Sequence, residues 1–311
     1  MDNQKNNTMV CDLETGVCGV SDSSEEIEMI NFNKPEKEVT LYYVTDPICS
    51  HCWAIEPTLR RFIKQYEDYF IFQPVMGGLL EKWHDGPIDP ANGIYKPADV
   101  APHWREVGNH SRMPIDGSVM IDNPVQSSYP ASRVFKIIQK KYKEETALEF
   151  LRRTREALFL FNKNVSDRNI LIDIVNKLDL PGEAIIQEAE QPIGQQLLKE
   201  DFQQVANLGA RGFPTIIMIN KENQGVRIVG DRPLEYYVKG LKQVLGNEDI
   251  QPKSQPSLSQ LLEMEKLLFS KEIEMMYDIE QEDVDTFVNK ELANDQYQKE
   301  TILGEDYIAK I

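Results

Sequence analysis

"TDPICSHCWAIEPTLRRF" (residues 45–62) sets two cysteines, Cys49 and Cys52, two residues apart. Upstream, "EVTLYYVTD" (38–46) is β-branched and aromatic and stops at Pro47, which reads as a strand. Downstream, Trp53, Ile55, Leu59, Phe62, Ile63 and Tyr66 recur at helical spacing, so the pattern predicts a helix from Ser50 to about Tyr69. "YFIFQPVMGG" (69–78) then reads as a second strand ended by Gly77-Gly78. Strand, helix and strand open a parallel βαβ unit, with the cysteine pair at its first junction.

A helix start carries unpaired N–H groups and the positive end of the macrodipole, both of which stabilise a thiolate. Cys49 stands there. Cys52 follows one turn deeper on the same face, within reach of a disulfide. The pair therefore suits an exposed low-pKa nucleophile, Cys49, and a resolving thiol, Cys52, with His51 favouring the thiolate. Half of a zinc site and an inert buried pair are the competing readings, and strand–Pro–x–CxxC–helix favours the redox one. Asp46 either tunes Cys52's proton transfer or simply ends the strand.

The chain has 311 residues and a net charge of −17, which opposes nucleic acid and anionic membranes as partners. No run of about 18 apolar residues is present. The first 29 residues have neither a basic n-region nor an apolar h-region, so the expected address is the cytoplasm. With only four cysteines, a disulfide scaffold is excluded.

Residues 1–37 read as a flexible acidic tail holding Cys11 and Cys18. That pair can be a shuttle disulfide exchanging with Cys49, a metal-binding pair, or without a role. A four-thiolate zinc site with Cys49 and Cys52 fits no common ribbon spacing, since thirty residues separate Cys18 from Cys49. Residues of about 79–210 read as a helical insertion, its first part (79–128) as Pro-, Gly- and His-rich loops with short helices, His84, His103 and His110 lying in the loops. The spacing of these histidines suits no compact metal motif. Gly77-Gly78 is no phosphate loop, because no Lys-Ser/Thr follows, and no cofactor is expected.

"GFPTIIMINKENQGVRIVG" (212–230) reads as a hairpin, and 234–246 as a closing helix ended by Gly246. Pro214 cannot donate to a ladder and must occupy a special turn. A cis bond there would open the backbone of Gly212 and Phe213 to an incoming peptide. Residues 247–257 read as a linker. The module at 258–311 shows two helical stripes and a small hairpin, in the manner of a winged helix. From Lys253 onward six lysines and no arginine face fourteen carboxylates, a balance that repels DNA and suits protein docking.

"DPICSHCW" (46–53), "PVMGGL" (74–79), "HWREVGNHSRMPID" (103–116), "SSYPASRVF" (127–135) and "GFPT" (212–215) together resemble the DsbA family, in its FrnE-like branch. The resemblance implies a thioredoxin-like α/β fold over 38–246 with a helical insertion. It also implies Cys49 as attacking thiol, Cys52 as resolving thiol and Pro214 as a cis-proline opposite them. His51 matches the histidine of the family's CPHC motif, whereas Ser50 replaces its proline. "FSKEIEMMYDIEQEDVDTFVNKEL" (269–292) resembles the tail of the YjbH family of adaptors, which present the regulator Spx to the ClpXP protease. The leading expectation is thus a thiol–disulfide oxidoreductase acting on disulfide-containing or thiol proteins. The alternative is a redox- or zinc-switched adaptor with a transcription regulator and ClpXP as partners. A glutathione-linked isomerase or transferase fits less well, because such relatives carry Ser at the position of Cys49.

Overall fold

The central strand β3 (Val39–Thr45) decides where everything else meets. The structure, a computed structural model, describes residues 11–12, 17–18, 37–84, 88–89 and 92–311. It divides into two units, Met1–Glu36 and Lys37–Ile311. In the first, β1 (Cys11–Asp12) and β2 (Val17–Cys18) pair antiparallel with Cys11 opposite Cys18. Their side chains, and the rest of the expected tail, lie outside the described residues.

In the second unit, β3 pairs in parallel with β4 (Phe70–Met76) and antiparallel with β5 (Thr215–Asn220), whose outer neighbour is β6 (Gly225–Val229). The register sets Thr45 beside Met76 and Val44 beside Thr215. Because β5 runs opposite to β3, its start lies at the end of β3. One edge of the sheet therefore collects the Asp46 loop, Gly77 and Pro214.

The crossover from β3 to β4 is two helices, not the continuous one expected: α1 (Ser50–Ala54) and α2 (Glu56–Tyr66). Pro57 has no N–H to offer the carbonyl of Trp53, so the helix breaks at Ile55. Within the helical insertion Pro192 divides the chain in the same way, between α8 (Gly182–Glu190) and α9 (Pro192–Asn207). The insertion is α3 (Pro97–Ser111), α4 (Val119–Asp122), α5 (Tyr129–Lys141), α6 (Glu144–Phe159), α7 (Arg168–Asn176), α8 and α9. Of the short helices expected among the loops of 79–128, α3 is a full 15 residues long and carries His103 and His110, which were expected in loops. Internal Pro102 and Gly108 hid it, yet Val100, Ala101, Trp104 and Val107 keep a buried helical stripe. The closing helix α10 (Leu234–Leu245) ends at Gly246, whose φ of 62° needs no Cβ.

Residues 247–257 do not hang free: Lys253 N–H donates to Gln65 O (2.7 Å), Gln251 N–H to Tyr69 Oη (2.9 Å), and Ile250 is buried. Beyond them lie α11 (Leu258–Glu265), β7 (Leu267–Phe269), α12 (Ser270–Tyr277), α13 (Val284–Glu291), and the hairpin β8 (Tyr297–Ile302) and β9 (Glu305–Lys310). The stripe expected as one helix over 258–277 is interrupted by β7, which pairs with β9 to make a sheet of order β7-β9-β8. Lys266, with φ of 62°, turns the chain out of α11 so that Leu268 and Phe269 extend. Leu258, Leu261, Ile273, Met276 and Ile308 belong to the module's own core, whereas Phe269 joins the core of the insertion.

Charge seals this junction. Arg152 of α6 grips Glu272 of α12 through two bonds of 2.8 Å and bonds Glu156 at 2.7 Å, all three buried. Its guanidinium also covers the ring of Trp53 at 4.7 Å. Arg60 of α2 pairs with Glu56 (3.0 Å) and Glu265 (2.5 Å). Burial opposes ionisation of Glu56 and Glu265. Arg155 beside Glu56, and Arg60 beside both, outweigh it and hold the carboxyls below their usual range. A depressed folded-state pKa stabilises fully above the unfolded value and is lost as pH falls. Stability measured by urea should thus hold from neutrality down to about pH 5 and fall as the pH drops through the free carboxylate value of about 4.3 and below it. Arg152→Ala, by leaving Glu272 buried without its main partner, is expected to cost about 3–5 kcal/mol in the same titration.

Candidate dithiol site

Cys49 is the N-cap of α1, in extended conformation, and its Sγ accepts the N–H of Cys52 at 3.2 Å. Its own N–H donates to Asp46 O (3.2 Å), closing the turn through Pro47. Cys52 is fully buried and Cys49 is 5% exposed, facing a cavity of about 410 Å³. His51, Gly212 and Phe213 line that cavity, along with Trp83 and Trp104. The Phe213–Pro214 bond is cis. Sequence-expected residues 49, 51, 212 and 213 therefore converge on one groove, and Pro214 borders it through Phe213. Cys11 and Cys18 belong to the other unit.

The glycine pair has a steric reason. A Cβ on Gly77 would sit 1.7 Å from the ring of Phe213, so only glycine lets that ring lie against the β4 end. Gly78, with φ of 73°, turns the chain away beneath Phe202. Asp46 ties the surrounding loops together. Its buried carboxylate accepts the N–H of Ile48 (3.0 Å), the N–H of Leu79 (2.8 Å) and the hydroxyl of Ser128 (2.8 Å). Burial raises its pKa against these bonds. These three bonds give it the strand-end position expected of it.

Reading the sequence did not single out Arg155. Its side chain is wholly buried in α6 and donates to Thr45 Oγ1 (2.6 Å), Asp46 O (3.2 Å) and Glu56. The signal was there: Leu151, Arg155 and Leu158 share the face that the helical period assigns to the core. An arginine at such a position needs a reason. Arg155 supplies positive charge behind both thiols. Cys49 is not the exposed low-pKa thiol expected: burial pushes it well above its usual value, with the neighbouring Cys52 adding to the rise. Cys52 is also opposed by burial, but its hydrogen bond with Cys49, Arg155 and the Thr45 hydroxyl bring it below the usual range. The two therefore titrate as a unit that holds one negative charge readily and resists a second. Tyr43, whose hydroxyl donates to Cys52 O at 3.3 Å, stays protonated because burial and Cys52 both raise it.

His103 is the other residue that reading missed. From α3 its ring meets that of His51, centroids 5.6 Å apart, and both line the groove. Burial and His103 lower the pKa of His51, with Asp231 opposing them. Near neutrality His51 is thus a neutral imidazole, able to take a proton from a thiol or return one to a leaving thiolate. Among the described residues no group of three or more His, Cys, Asp or Glu is placed to hold a metal ion.

A dithiol at a helix start, beside a cis-proline on a β3-centred sheet, defines a thioredoxin-fold protein of the CxxC class. Residues 42–239 match the thioredoxin family, and the chain belongs to it. The ClpXP adapter protein SpxH of Halalkalibacterium halodurans is 29% identical over 288 residues, spanning 90% of each chain. SpxH of Bacillus subtilis is 27% identical over 260 residues, 82% of this chain and 84% of that one. Two solved structures share the fold. One, a candidate protein disulfide isomerase from Nitrosomonas europaea, superposes with a TM-score of 0.55 at 23% identity, over 67% of this chain and 96% of that one. The other, a candidate DsbA oxidoreductase from Streptomyces coelicolor, gives 0.53 at 14%, over 71% and 94%. No helix among the described residues is long and apolar enough to cross a membrane.

One thiolate per reduced pair is the expected titration. Thiolate ultraviolet absorbance should rise in one step below the ordinary thiol pKa of about 8.5, the second step coming only well above it. Cys49→Ala should abolish the early step. Gly77→Ala should displace Phe213 and slow alkylation or exchange at Cys49 more than tenfold, as a misplacement of about 1 Å does at a reacting centre.

Proposed function

We propose that this chain is a cytoplasmic thiol–disulfide oxidoreductase whose nucleophile is Cys49. The carrying observation is geometric. Cys49 faces the groove at a helix start, Cys52 lies behind it within a hydrogen bond, and Arg155 lies behind both. As neutral His51 takes its proton, Cys49 Sγ attacks one sulfur of a substrate disulfide, forming a new S–S bond while the other substrate sulfur leaves as a thiolate. His51 protonates that leaving group. Cys52, deprotonated beside Arg155, then attacks Cys49 Sγ and releases the second substrate sulfur as a thiolate, which water protonates. The enzyme is left as the Cys49–Cys52 disulfide, two electrons having passed to the substrate. In reverse the same steps oxidise a dithiol. Gly212 and Phe213 offer their backbone beside the attacked bond, and the aromatic groove accommodates apolar residues flanking the substrate cysteine. Insulin reduction or refolding of a scrambled disulfide protein tests this reading. Cys49→Ala is expected to lower the rate at least a hundredfold, and an unchanged rate overturns the proposal.

A second reading, a ClpXP adaptor, has its own support. The match to the adapter protein of Halalkalibacterium halodurans runs along about nine-tenths of both chains and so reaches into the C-terminal module, which the disulfide chemistry does not require. Under this reading the module and the thioredoxin face hold a regulator such as Spx for degradation. A Cys49→Ala/Cys52→Ala protein should then still bind its regulator, whereas a chain ending before Leu258 should not. Pull-down against Spx and ClpX separates these outcomes. The Cys11–Cys18 pair, set opposite each other in register, is proposed as a thiol reservoir for either role.

A further inference from the structure

Three arginines, Arg155, Arg60 and Arg152, connect the module junction to the dithiol. Arg155 beside the cysteines pairs with Glu56, and the other oxygen of Glu56 pairs with Arg60 at 3.0 Å. Arg60 reaches out of the thioredoxin body to Glu265 at 2.5 Å and toward Glu272 at 3.9 Å. Glu272 is held in turn by Arg152, which stacks on Trp53, the residue after Cys52. From Arg155 to Arg152 each step is an ion pair, and the side chains between the cysteines and Glu272 are no more than 17% exposed. In so little water a change of charge at one end is poorly screened at the other.

We propose that the C-terminal module regulates the dithiol, Glu265 and Glu272 acting through Arg60, Glu56 and Arg155 so that docking of the module and the redox equilibrium of Cys49–Cys52 are thermodynamically linked. The inference rests on reading the pair as redox-active. Its sign follows from Coulomb's law and from the order of the pairs. A docked Glu265 occupies Arg60, which leaves Glu56 to Arg155 and makes Arg155 a weaker partner for a thiolate. Docking therefore disfavours the thiolate and favours the disulfide. Linkage is reciprocal: the reduced, thiolate-bearing protein holds its module less tightly than the oxidised one. A partner that pulls on the module would make the dithiol a stronger oxidant, and the redox state would in turn set how freely the module engages a partner.

The full-length protein is equilibrated with reduced and oxidised glutathione: the dithiol gives two electrons and two protons to glutathione disulfide, yielding the Cys49–Cys52 disulfide and two glutathione thiols. Glu265→Gln is expected to shift the equilibrium about three- to tenfold toward the dithiol and to lower the pH of the first thiol ionisation. Arg60→Gln should shift both in the opposite direction. Asp278→Asn breaks the exposed Arg61 pair at the same junction, outside the chain of charges, and should shift neither. A merely structural role for the junction predicts no such reversal of sign. Hydrogen exchange in the unsubstituted protein gives a second measurement that no folding defect can obscure. Amides of α11 and α12 should exchange faster in the reduced than in the oxidised state, and a Cys49→Ser/Cys52→Ser protein should ignore the redox buffer. An unmoved equilibrium in folded Glu265→Gln, or equal exchange in the two states, overturns the linkage. These measurements need no turnover. A protein inert toward insulin with a shifted equilibrium would overturn the enzyme reading alone, and turnover with an unmoved equilibrium would overturn the linkage alone.

Discussion

Arg155 enters the interior as a permanent cation with no exposed side-chain surface, and that charge must be answered where it lies. Its partners are the end of β3, at Thr45 and Asp46, and the first residue of α2, Glu56. A single guanidinium thus fixes the insertion helix α6 against the strand and helix that flank the cysteines. Removing such a group would strand Glu56 in a dry site, which costs more than the pair itself contributes. The same guanidinium polarises the dithiol. Structural and chemical demands coincide on one side chain.

From that point the architecture spreads in two directions. Toward the groove, Asp46 gathers three loops on one carboxylate, and Gly77 admits the ring of Phe213, so the wall opposite Cys49 is set by backbone packing. Toward the C-terminus, Glu56 passes charge to Arg60, and Arg60 and Arg152 close on the carboxylates of α11 and α12. The acidic balance of the last segment read in the sequence as a surface suited to docking a protein. Part of it is the counter-charge of a buried arginine cluster on the thioredoxin body.

The parts legible in the sequence were those with strong local signals. The apolar alternation and Pro47 located β3, the helical spacing after Ser50 located α1 and α2, and Pro214 before an apolar run located the special turn ahead of β5. Blurred elements had competing local chemistry. Pro102 and Gly108 disguised α3, and with it His103. A continuous apolar stripe disguised β7, because Leu267–Phe269 is short and its partner β9 lies some forty residues downstream. Strand identity there comes from pairing, which no local window contains.

What the sequence by itself determined is the chemistry available and the frame that carries it. Two thiols one helical turn apart sit at a strand–helix junction, a proline heads a distant strand, and residues 258–311 form a separate acidic stripe pattern. These follow from local sterics and periodicity, which neighbouring residues suffice to specify. The tertiary structure decided how that chemistry is tuned. Arg155 reaches the cysteines from about a hundred residues away in sequence, His103 meets His51 across the groove, and Glu265 and Glu272 answer arginines of another part of the chain. Electrostatic interactions act through space in a dry interior, and their partners are chosen only when the chain has closed around them.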